Sequence, residues 1–106
     1  MAQRLIPSLP EPLASHQSSI GELCRKYHVV RLALFGSMAR GENRIGSDLD
    51  LLVSFEQGKT PGLGFFMLQD ELQDVLGLPV DLNTLEDLSR HFREQVLREA
   101  TTVYES

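Results

Sequence analysis

The sequence predicts an α/β (α+β) fold, a three- or four-stranded mixed sheet packed with helices, on three observations. Residues 48–55, DLDLLVSF, place apolar side chains at every second position, the period of a strand with one buried face. Residues 65–76 instead carry Phe65, Phe66, Leu68, Leu72, Val75 and Leu76 at helical spacing, followed by Gly77. Two further short strand-like runs, 29–35 and 78–83, are separated from each other by such elements, and interleaved strands and helices build a sheet covered by helices.

The elements follow in order. Residues 1–12 contain Pro7, Pro10 and Pro12, which oppose a regular helix, so this stretch reads as a flexible or extended arm ahead of a single domain over 13–106. Leu13, Ile20, Leu23, Cys24 and Tyr27 recur near helical spacing and predict an amphipathic helix over 13–27, with Ser15 or Ser18 as its N-cap. Residues 29–35 are apolar except for Arg31 and suit a strand buried on much of both faces. A turn or short helix begins at Gly36, and 41–47 read as a loop. In the strand 48–55, Leu49, Leu51, Val53 and Phe55 lie on one face; Asp48, Asp50, Leu52 and Ser54 lie on the other.

Residues 57–64 hold three glycines and a proline and read as a loop, and Gly77 is the natural stop of the helix that follows. The run 78–83 predicts a brief strand with Val80 and Leu82 facing one way and Asp81 the other, and Pro79 assigns it to an edge or an irregular start. Residues 85–100 read as helical in one or two pieces with Phe92, Val96 and Leu97 inward, and 101–104 as a last short strand. Phe65, Phe66 and Phe92 are assigned to packing in preference to base stacking.

Composition narrows the function classes. A length of 106 residues supports one core, and 42% hydrophobic with 24% charged residues is ordinary for a globular domain. The formal charge of −5 argues against direct nucleic-acid binding, which draws its affinity from clustered Lys and Arg. Cys24 is the single cysteine, so no internal disulfide forms, and it reads as a core residue. No apolar run approaches the roughly 18 to 20 residues of a membrane span, and the first residues lack the apolar stretch of a secretory signal. The expectation is a cytoplasmic protein without a membrane association. His16, His28 and His91 are scattered and read as surface residues, and Arg44 and Lys59 as solvated loop cations.

The chemistry concentrates in 34–55. Strand period places Asp48 and Asp50 on one face with α-carbons roughly 6 to 7 Å apart. Two carboxylates there repel one another, which a bound cation relieves. Hard divalent ions such as Mg²⁺ prefer carboxylate and phosphate oxygens, so these aspartates plus a nucleotide make a coordination set. Asp81, on another strand but on its polar side, is the candidate third ligand. Gly36 and Ser37 stand where a strand ends, a place where free N–H groups and a hydroxyl hold phosphate oxygens. Arg40, just beyond, suits neutralisation of a departing pyrophosphate.

Gly36-Ser37, ten intervening residues and Asp48-Leu49-Asp50 resemble the GS-x10-D-x-D signature of the nucleotidyltransferase superfamily that includes DNA polymerase beta and kanamycin nucleotidyltransferase. Phe35-Gly36-Ser37, Ala39-Arg40-Gly41, Ser47-Asp48, Asp50-Leu51-Leu52-Val53 and Val80-Asp81-Leu82 look like its minimal nucleotidyltransferase (MNT) family, a likeness spanning 13–104. The resemblance implies the small nucleotidyltransferase fold, with Asp48 and Asp50 holding metals, Asp81 completing the site and helping to activate the attacking hydroxyl, and Gly36 and Ser37 holding the triphosphate. It implies ATP as substrate and two Mg²⁺ ions, or Mn²⁺ in their place, during in-line attack on the α-phosphorus.

Larger members of that superfamily carry a second domain for the acceptor, and 106 residues leave no room for one. The acceptor is therefore expected from a partner, in a homo- or hetero-oligomer. MNT proteins are commonly paired with HEPN-domain toxins, and the resemblance implies transfer of AMP onto a tyrosine of such a toxin, with this chain as the antitoxin. Two alternatives stay open: an antitoxin that silences its partner by contact alone, and an enzyme that modifies small molecules or RNA ends.

Overall fold

A computed structural model describes residues 9–36, 38–41 and 48–106. The secondary structure runs α1 (Gln17–Lys26), β1 (Val29–Phe35), β2 (Leu49–Phe55), α2 (Gly64–Leu76), β3 (Val80–Asn83), α3 (Arg90–Glu99) and β4 (Thr101–Glu105), with 3-10 turns at Ala14–His16 and Leu85–Asp87. The strands form one four-stranded sheet in the order β3-β2-β1-β4. β1 pairs antiparallel with β2 and with β4, whereas β2 pairs parallel with β3, so the sheet is mixed. A parallel pair needs a crossover, and α2 supplies it.

The alternation seen in the sequence partitions two unequal layers. Leu49, Leu51 and Val53 of β2 join Leu32, Leu34, Val80 and Leu82 in the main core, closed by Ile20 and Cys24 of α1 and by Leu68, Leu72 and Leu76 of α2. Leu52 faces the other way and meets Phe35 and Val96 in a small second core, flanked by Leu85 and Leu88. α1 and α2 thus cover one face, and α3 with the preceding 3-10 turn shelters part of the other. Arg93 fixes that second layer: its Nε donates to the carbonyls of Leu85 (2.9 Å) and Leu88 (3.1 Å). The Thr84–Asp87 capping box closes the same turn.

β3 is an edge strand, as Pro79 suggests, yet its outer N–H groups are satisfied. Gln73 Oε1 accepts from the Val80 N–H (3.0 Å) and Gln69 Oε1 from the Leu82 N–H (3.1 Å). These glutamines lie one turn apart on α2, on the face turned to β3. The register of β3, and so the position of Asp81, is clamped on both sides.

Several expectations are corrected. Neither Ser15 nor Ser18 caps α1: Ser15 belongs to the 3-10 turn, Ser18 lies inside the helix, and the N-cap position falls on His16 with no side-chain cap bond. Phe66 is 60% exposed, Phe92 42% and Leu97 47%, so none is a core residue. The second core is too small to cover a broad stripe of α3, which buries only Val96. Gly77 ends α2 in the left-handed conformation, φ +74°, as expected. Of the arm over 1–12, residues 1–8 lie outside the described residues, while Leu9 is buried in the main core.

Candidate active site

Asp50 of β2 and Asp81 of β3 are register partners in the parallel pair. Their neighbours Leu49, Leu51, Val80 and Leu82 all point into the main core, so both carboxylates emerge side by side on the opposite face. Partial burial pushes the Asp50 carboxyl up to about 6; the charge of Asp81, a hydrogen bond with it and the charge of Asp48 add to the rise, and Arg40 opposes it. Asp48 is exposed immediately before β2. Among the described residues, no three acidic, histidine or cysteine side chains are preassembled as a metal cage. Asp50 and Asp81 are paired, and Asp48 contributes its charge from the start of the strand.

Gly36 stands against this pair. It follows Phe35, whose register partner is Asp50, and the backbone turns there at φ +78°. A Cβ at this position would collide with Oδ2 of Asp50 and stand 3.1 Å from its Cγ. Only glycine satisfies both the left-handed turn and the close carboxylate. The turn over 38–41 is held by the Arg40 N–H donating to the Gly36 carbonyl (3.3 Å), and by Met38, whose side chain is buried in the main core. Ser37, expected to hold phosphate, and Arg44 lie outside the described residues.

Arg40 bridges two elements. Its Nη1 donates to Glu99 Oε1 at the end of α3 (3.2 Å), and its positive charge lowers the pKa of Asp50. Gly36, Arg40, Asp50 and Asp81 line one open cleft of about 560 Å³. The same cleft is walled by Phe35, Asn83, Leu88, Phe92 and Gln95. These walls were not recognised as site residues in the sequence. The available signal was the spacing of positions 92, 95 and 99, which places three side chains on one stripe of α3.

Adjacent strands present paired carboxylates beside a glycine turn and a guanidinium on the open face of a mixed sheet, an arrangement whose chemistry suits a cation-bound phosphate group. The family model described as polymerase beta, nucleotidyltransferase, matches residues 18–106, and the chain belongs to that family. It is similar to the protein adenylyltransferase MntA of Thermococcus cleftensis, 36% identical over 104 residues that cover 97% of this chain and 100% of that protein. A solved structure described as a "putative minimal nucleotidyltransferase" is 46% identical, with TM-score 0.73 over 85% of this chain and 91% of its own. The crystal structure of a toxin–antitoxin with AMP-PNP shares the fold at TM-score 0.69 and 24% identity, over 85% of this chain and 73% of that one. The family, the fold and the enzyme class expected from the motif are therefore met. No helix among the described residues is long and apolar enough to cross a membrane.

Proposed function

We propose that this chain transfers AMP from ATP to a protein hydroxyl, a tyrosine of a HEPN-domain toxin, and acts as the antitoxin of that partner. The observation that carries the reading is the Asp50–Asp81 pair on adjacent strands, packed against Gly36 in a cleft that also holds Arg40. The similarity to a protein adenylyltransferase over its whole length supports a protein acceptor and an adenylyl donor. The catalytic unit is the single domain over 13–106, and its setting is the cytoplasm, where ATP and Mg²⁺ are abundant.

The donor set fits a hard divalent cation. A carboxylate pair whose mutual repulsion and burial hold one member protonated up to about pH 6 is relieved when a cation replaces the shared proton. Asp48, Asp50 and Asp81 are the residues that would hold Mg²⁺, two ions, with Mn²⁺ able to substitute. Bound there, the metal neutralises charge on the phosphates and lowers the pKa of the attacking hydroxyl.

The protein's own groups do the rest. Gly36 leaves the space in which the Asp50 carboxylate closes against the backbone turn, and Ser37 offers its hydroxyl to the phosphates. Arg40 neutralises the pyrophosphate as its bond to the α-phosphorus breaks and the acceptor oxygen bonds in its place. Asp81, the more exposed of the pair, takes up the proton released by the acceptor hydroxyl.

The test is direct. Purified protein with Mg²⁺, labelled ATP and its cognate HEPN protein should leave AMP on a tyrosine of that partner, and Asp50→Asn should leave none. A partner that binds firmly yet stays unlabelled would replace this reading with inhibition by contact.

A further inference from the structure

We propose that Phe92 is the platform on which the base of the nucleotide stacks, with Gln95 reading its edge, so that the cleft-facing stripe of α3 selects the nucleoside. This rests on the nucleotide-transfer reading of the cleft and extends it to the substrate's other end. Phe92 is 42% exposed, whereas the other exposed positions on this helix, apart from Leu97, are polar or charged. A large ring left in water at that position forgoes its burial energy, and here it opens onto the cleft that contains Asp50 and Asp81.

Its orientation is held from below. The Phe92 ring packs nearly perpendicular to Phe35, at 71° with centroids 6.5 Å apart. Phe35 is itself buried, precedes Gly36 and pairs in register with Asp50. The aromatic surface is therefore one side chain away from the carboxylate pair and fixed relative to it.

The stripe has two chemically different ends. Glu99 anchors Arg40 beside the glycine turn, and Phe92 stands two turns earlier on the same face. At 1.5 Å per residue, those levels are about 10 Å apart, a span suited to a nucleotide lying along the helix with phosphates at one end and base at the other. Gln95 lies between them. Its Nε2 donates to Glu99 Oε2 (3.2 Å), which fixes the amide and turns its carbonyl oxygen to other uses, such as accepting from an exocyclic amino group. Leu88 and Phe35 complete an apolar wall on that side.

The experiment measures equilibrium binding of a non-hydrolysable ATP analogue and, separately, of inorganic tripolyphosphate, both with Mg²⁺. Phe92→Ala should weaken the ATP analogue by about 10- to 100-fold, the range of base–aromatic stacking, and leave tripolyphosphate unchanged. Phe92→Tyr should restore the affinity, which separates a stacking ring from mere bulk. Equal weakening of both ligands would overturn the proposal, since it would mean that the cleft had collapsed. Unchanged ATP-analogue binding with transfer lost would also overturn it and assign the ring to the acceptor. Wild-type protein that binds neither ligand would instead defeat the underlying site reading, a result distinct from either.

Discussion

Replacing Asp50 with asparagine separates the cost of the site from the stability of the fold. The substitution keeps the shape of the side chain and its hydrogen-bonding capacity toward Asp81 but removes the charge that burial and Asp81 disfavour. Asp50 titrates at about 6, above the 3.8 of an unperturbed carboxyl, so the folded protein holds a proton that the unfolded chain has lost between those values. The stability from that proton is full below about pH 4 and is lost as the pH rises through 6. A shift of this size corresponds to about 3 kcal/mol with no screening, and partial exposure reduces it to about 1 to 2 kcal/mol.

Asp50→Asn should therefore melt about 5 to 10 °C above wild type at pH 8 in a chelator, since 1 kcal/mol moves the midpoint of a domain of this size by about 4 to 8 °C. The gap should shrink steadily toward pH 4.5. Added Mg²⁺ should close it from the other side by stabilising the wild type, because a ligand that binds only the native state raises its melting point. Differential scanning calorimetry over this pH range reads all three effects. A variant that melts at or below wild type at pH 8, or a gap independent of pH, would refute the account of the carboxylate pair.

Gly36→Ala should lower the rate of transfer by about 100-fold or more, because the methyl group displaces the Asp50 carboxylate and forces a left-handed backbone costing about 1 to 2 kcal/mol; single-turnover kinetics measure it. Arg40→Ala should lower kcat for transfer by about tenfold, read by single-turnover kinetics, while the melting point stays within a few degrees, since the ion pair that it makes with Glu99 is partly exposed. Leu72→Ala, at a fully buried position of α2, should cost about 2 to 5 kcal/mol in urea unfolding and leave the affinity of the folded protein for ATP unchanged.

The candidate site and the sheet were legible in the sequence to different depths. The strand β2 and the two faces it serves could be read from DLDLLVSF because a period of two assigns each side chain without reference to the rest of the molecule. The same logic placed Val80, Asp81 and Leu82, and Pro79 marked the edge. Helices were harder, because periodicity shows which face is apolar but not how much of it a small second core can cover. Phe92 and Leu97 accordingly turned outward while Val96 turned in. The start of α1 carried serines without capping contacts, since the chain enters through a 3-10 turn. Gly36 was read as a phosphate-binding turn, but its closest constraint is Asp50, a neighbour that only the pairing of β1 with β2 brings near. Glu99 carries no signal of its contact in the sequence for the same reason: its partner Arg40 is distant in the chain.

The two glutamines of α2 that grip β3 also decide where this molecule can be extended. By answering the outward amides of Val80 and Leu82, Gln69 and Gln73 fill the place a fifth strand would take, so a second chain gains nothing by zipping along that flank. Growth of the sheet is confined to the side of β4, and the flank that carries Asp81 is protected from edge-to-edge self-association.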